Sequence, residues 1–132
     1  MTQLTSRQAN DLANQFLALA QAIGDFRYSH WGELSKAQHQ RLASQHWSVL
    51  NYGEDILALS TTLVMNDVAG SLASVKSNTG KIKSSLRILE NIQKGIEITA
   101  AIVTLGAAII SKSPEAIGRA IEGLGKKLGV GT

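Results

Sequence analysis

The sequence predicts an all-α protein: an antiparallel bundle of about four helices with one long, central hydrophobic helix. Three observations carry that expectation. Apolar residues recur at 4-3 spacing through most of the 132 residues, which keeps them on one helical face. No stretch shows the apolar–polar alternation of a half-buried strand. Within Lys81–Ser111, KIKSSLRILENIQKGIEITAAIVTLGAAIIS, the first half is apolar on one side only, whereas Ile98–Ile110 is apolar all the way round.

Length and composition fit a single domain over residues 1–132. Aromatics are only 5% of the chain, so its core must be aliphatic. With no cysteine there is neither a disulfide nor a thiolate metal site. A formal net charge of +3 permits attraction to nucleic acid or anionic lipid without requiring it. The N-terminal stretch lacks the basic region and apolar run of a secretory signal. The expected address is cytoplasmic, with export by a non-classical route left open.

The first helix is expected from a Thr5 or Ser6 cap to about Gly24, with Leu12, Phe16, Leu19 and Ile23 on its inner face. GDFRYSHWGEL then reads as a connection whose Phe26, Tyr28 and Trp31 plug one end of the bundle. Ser35 caps a second helix, expected to reach about Met65, with Leu42, Val49, Ile56 and Leu63 at a seven-residue repeat. Beside them His39, His46, Gly53 and Ser60 form a row of small or polar residues that lets another backbone approach. Asn66-Asp67 and Gly70-Ser71 mark a reversal.

From Val68 the 4-3 pattern continues through Leu72, Val75, Thr79, Ile82, Leu86, Leu89, then Ile92 or Gln93, and Ile96. Ser77–Gly80 is where this helix would break if it breaks. Ser113-Pro114-Glu115 is a start signal, with a capping hydroxyl, proline at the first helical position and an acid in the first turn. Ile117, Ile121, Leu124 and Leu128 are the stripe of a short last helix, with Lys126 and Lys127 suiting its C-terminal end.

A helix apolar on every side must be surrounded by protein or lipid. The uncharged run Ile98–Ile110 would be roughly 20 Å long, against a hydrocarbon core of ~30 Å. Extending it takes in Glu97 and Lys94, so a stable single span is disfavoured. Ala100, Thr104 and Ala108 make a small-residue seam that suits close helix contact. The layout, long helices with an over-apolar segment near one end, is similar in architecture alone to helical pore-forming toxins.

No chemical site emerges. His39 and His46 lie about 10 Å apart along a helix, too far to share one metal ion. Glu54, Asp55, Glu90 and Glu97 join no catalytic constellation, and nucleotide and nucleophile-elbow motifs are missing. The protein is thus expected to be no enzyme and to need neither cofactor nor metal. Lys76, Lys83, Arg87 and Lys94 form a basic flank, as Lys126 and Lys127 do on the last helix, but no aromatics interleave and nucleic acid is disfavoured.

The expectation is a non-enzymatic bundle that self-associates and engages membranes through a toxin- or lysis-like hairpin. Its membrane or partner interface would be Ile98, Ile102, Val103, Leu105, Ile109, Ile110, Ile117, Ile121 and Leu124. The alternative is a soluble adaptor or structural subunit whose apolar helix is covered by a protein partner or a second copy. Expected partners are thus a copy of this chain or another protein, and an anionic membrane.

Overall fold

A computed structural model describes residues 2–129, so the outermost ends of the expected domain lie outside the described residues. Five α-helices occur among them: α1 (Ser6–Ser29), α2 (Lys36–Leu59), α3 (Val68–Ile88), α4 (Ile92–Ile110) and α5 (Pro114–Gly129). Each has a side-chain cap. Thr5 and Ser35 form capping boxes with Gln8 and Gln38. Asp67 and Asn91 accept from the N–H groups of Gly70 and Lys94, and the Ser113 hydroxyl accepts from that of Ala116.

Several boundaries differ from the sequence expectation, each for a local reason. α1 does not stop at Gly24 but runs on to Ser29; Gly24 packs against the His46 ring of α2, and the continuation carries Phe26 into the core. α2 ends at Leu59 rather than Met65; Ser60 takes a left-handed φ of 43° and a 3-10 turn follows. α3 runs unbroken through Ser77–Gly80, with the Thr79 hydroxyl donating to the Val75 carbonyl. The break falls later, at Leu89–Asn91, where the backbone turns extended and Asn91 starts α4. The stretch Lys81–Ser111 is therefore two helices.

The helices alternate in direction along the chain. In space their order around a ring is α1, α2, α4, α5, α3, returning to α1, with α1 also touching α4. Cross-contacts set the directions. Ala20 pairs with His46 and Leu17 with Gly53, so α1 and α2 are antiparallel. Lys127 meets Glu97, so α4 and α5 are antiparallel too. Gln45 meets Thr99 and Tyr52 meets Gly106, so α2 and α4 run parallel. α1 and α3 are likewise parallel, since Asp11 and Leu12 share a hollow with Leu72 and Lys76, and Asp25 and Ser29 share another with Lys83 and Arg87.

No helix is central. The core fills the middle of the ring, from Leu12, Phe16, Ile23, Leu42, Val49 and Ile56 through Ile82, Leu86, Ile102 and Leu105 to Ile117 and Leu124. At the end holding the N-terminus, the two-residue strands β1 (Thr2–Gln3) and β2 (Val64–Met65) pair antiparallel, and Leu4, Leu63 and Met65 are buried there. Strands of two residues carry no alternation that a sequence could display. At the opposite end Phe26 is buried as expected, but Tyr28 and Trp31 are not plugs: they are 79% and 54% exposed.

Candidate interaction site

The site begins with how α4 is seated. Gly95 lies under the Phe26 ring of α1 and Gly106 under the Tyr52 ring of α2; a Cβ at either position would overlap the ring. Between them Thr99 is fully buried, its hydroxyl bonded to the Gln45 side chain and the Ile96 carbonyl. These contacts hold α4 inside the ring with Ile98, Ile102, Leu105 and Ile109 turned to the core, each at most 1% exposed. Burial of each stabilises the fold by about 1.5–3 kcal/mol.

That burial corrects the expected interface. Of its nine residues, Ile98, Ile102, Leu105, Ile109, Ile117 and Leu124 are buried by the chain's own side chains. Val103, Ile110 and Ile121 are half-buried against the same core. Five helices in a ring cover what three around a central fourth would not. The mismatch that asked for an outside partner to shield the hydrophobic helix is absent. By length and composition α4 could cross a membrane, yet its large apolar side chains are buried or half-buried against the chain's own core.

What α4 turns outward is its small-residue side. Ala100, Thr104, Ala107 and Ser111 are exposed along one line; the expected third member, Ala108, is instead turned in toward α5. Ala116, Ala120 and Gly123 of α5 form the other wall of a groove of about 710 Å³, with Leu124 in its lining. Glu97 and Lys127 close one end through an ion pair of 3.2 Å, and Arg119 lies along the α5 wall. The Lys127 hydrogen bond, then its charge, holds the Glu97 carboxyl below its ordinary 4.5; the Gln93 hydrogen bond and the Lys94 charge act the same way.

The basic flank is split by the helix break. Lys76, Lys83 and Arg87 lie exposed on α3 while Lys94 opens α4. Lys83 and Arg87 share a hollow with Asp25, and Lys126 is bonded to Glu122 one turn away. The histidines serve the α1–α2 seam. His46 Nδ1 bonds the Ala20 carbonyl at 2.8 Å, and Gly53 faces Leu17, as the small-residue row suggests. His39 Nδ1 accepts from Arg27 Nε at 3.3 Å, so its Nε2–H donates to the Trp31 carbonyl at 2.9 Å. Trp31 is clamped in turn, with the Arg27 guanidinium 4.8 Å from its ring centroid and the His39 ring 4.4 Å away. Among the described residues no three His, Asp or Glu side chains gather as metal ligands.

Sequence reasoning missed the groove because its residues are individually unremarkable alanines and glycines of two helices. The only signal was the small-residue spacing on α4. No known family model, curated protein or solved structure matches this chain.

Proposed function

We propose that this protein is a non-enzymatic helical bundle that works by self-association, pairing the outward face of α4 with the same face of a second copy. The observation that supports it is the exposed line Ala100, Thr104, Ala107 and Ser111 beside the α5 wall. Small side chains let two helix backbones come close, and a face that is small along its whole length suits a two-fold pairing with itself. An antiparallel α4–α4 contact centred on Thr104 brings the Glu97 end of one copy beside the Ser111–Lys112 end of the other.

This reading retains the association expected from the sequence but moves it. The isoleucines and leucines stay in the core, and the contact uses the alanine face. It needs no rearrangement, whereas inserting the α4–α5 hairpin into lipid would empty the core of α4. Sedimentation equilibrium at micromolar to millimolar protein is the test. A dimer that becomes monomeric in Ala107→Glu supports the reading, because Ala107 is exposed and the change leaves the monomer core alone. A monomer throughout that range, or a dimer indifferent to Ala107→Glu, removes it.

A further inference from the structure

The ring has two unlike ends. At one end α1 and α3 finish, α2 and α4 begin, and the last turns of α5 arrive; residues 18–47, 79–101 and 122–129 make up this half. It holds nine of the 13 Lys and Arg residues but five of the 10 Asp and Glu, a formal +4; the other half is left at −1. The chain's modest net charge thus hides a strongly polarised molecule.

The exposed apolar side chains are polarised the same way. Of the five large ones among the described residues, Tyr28, Trp31, Trp47 and Ile88 lie in the basic half and Leu57 outside it. Tyr28, Trp31 and Ile88 stand at the very end, in or just beyond the last turns of α1 and α3, and Tyr28 and Ile88 are each 79% exposed. Trp31 is also held in one orientation by Arg27 and His39, so little freedom is lost when it is buried by a partner. Arg27 lies against Trp31, and Lys36, Lys83, Arg87 and Lys94 fall within two turns of the helix ends that meet here. The acids there are Asp25, Glu33 and Glu90, of which Glu33 is bonded to His30.

We propose that this end of the bundle docks on an anionic phospholipid surface, with Tyr28, Trp31 and Ile88 entering the headgroup region and the surrounding cations meeting lipid phosphates. Tryptophan and tyrosine favour that interface because each has an apolar body and a polar tip. Lys and Arg close to an anionic leaflet each strengthen attachment, and the effect decays within about one Debye length. Docking of this kind leaves all five helices folded and the α4 face free. It is independent of self-association, so either can fail alone.

The two tryptophans make the test specific, since Trp31 lies at the tip and Trp47 farther along the outside of α2. Vesicles of phosphatidylcholine, with and without phosphatidylglycerol, are titrated against Trp47→Phe, in which Trp31 is the only reporter, and against Trp31→Phe, in which Trp47 is. The expected result is a blue shift of Trp31 with anionic vesicles, none with neutral ones, and little change in Trp47. Neutralising Lys83→Gln and Arg87→Gln together is expected to weaken partitioning roughly 30-fold, about fivefold for each charge. Ile88→Ser should weaken it without altering its salt dependence. All of these positions are exposed, so circular dichroism should show the native helix content in every variant. No partitioning to anionic vesicles, equal partitioning to neutral ones, a shift confined to Trp47, or indifference to the charge removals each overturns the proposal.

Discussion

Gly106 of α4 lies directly beneath the ring of Tyr52 on α2, so close that no side chain fits between them. Gly95 repeats the arrangement under Phe26 of α1, eleven residues earlier on the same helix. These two glycines are what allows so apolar a helix to come near its neighbours while the aromatic rings cover its backbone.

Alanine at Gly106 should therefore destabilise the protein. The helix gains about 1 kcal/mol of propensity from the change. Displacing the Tyr52 ring costs about 1–3 kcal/mol, as over-packing generally does. Urea denaturation should give a net loss for Gly106→Ala. In a cycle with Tyr52→Ala the two changes should be strongly non-additive, because truncating the ring makes room for the new methyl.

Glycines of the last helix should behave in the opposite way. A Cβ at Gly118, Gly123 or Gly125 would meet nothing within 4 Å. Packing does not require glycine there, so Gly→Ala should raise stability by up to about 1 kcal/mol at each position. A thermal melt of the three single variants checks this, and a fall in midpoint for all three would refute it.

The Glu97–Lys127 pair couples the N-terminal part of α4 to the end of α5. Because the Glu97 carboxyl is held below its ordinary 4.5, folding favours its charged form. That contribution is fully present above 4.5 and is lost as pH falls through the lowered value. Glu97→Gln should be less stable than the parent at neutral pH, with the difference shrinking as acid is added below 4.5. Unfolding midpoints of the two proteins between neutral and acid pH are the measurement. A gap independent of pH would mean that the pair contributes nothing through charge.

Thr99 is buried and bonds both the Gln45 side chain and the Ile96 carbonyl. Thr99→Val keeps the shape but takes this partner from the half-buried Gln45, at a cost of about 0.5–1.5 kcal/mol. Replacing Gln45 by Leu as well should recover part of the loss, since both polar groups are then gone. Denaturant titration of the single and double variants separates the two effects.

Much of the helical plan is local, and for that reason it is legible in the chain. Thr5, Ser35 and Ser113 cap helices as their spacing suggests, and Pro114 opens α5, because a cap needs only residues within one turn. The inner faces of α1 and α2 follow from periodicity in the same way. The break at Leu89–Asn91 was not legible, since the 4-3 pattern runs straight across it and neither glycine nor proline marks the place. Sequence alone determined that this is an all-α chain, where four of its helices start and which residues are apolar enough for a core. Tertiary structure decided the ring order, which depends on contacts such as Tyr52 on Gly106 between residues 54 apart. It also decided that α4, apolar on nearly every side, buries its isoleucines and leaves alanines outward. The reason is that hydrophobicity says a side chain must be covered, while only the positions of neighbouring helices say which ones are.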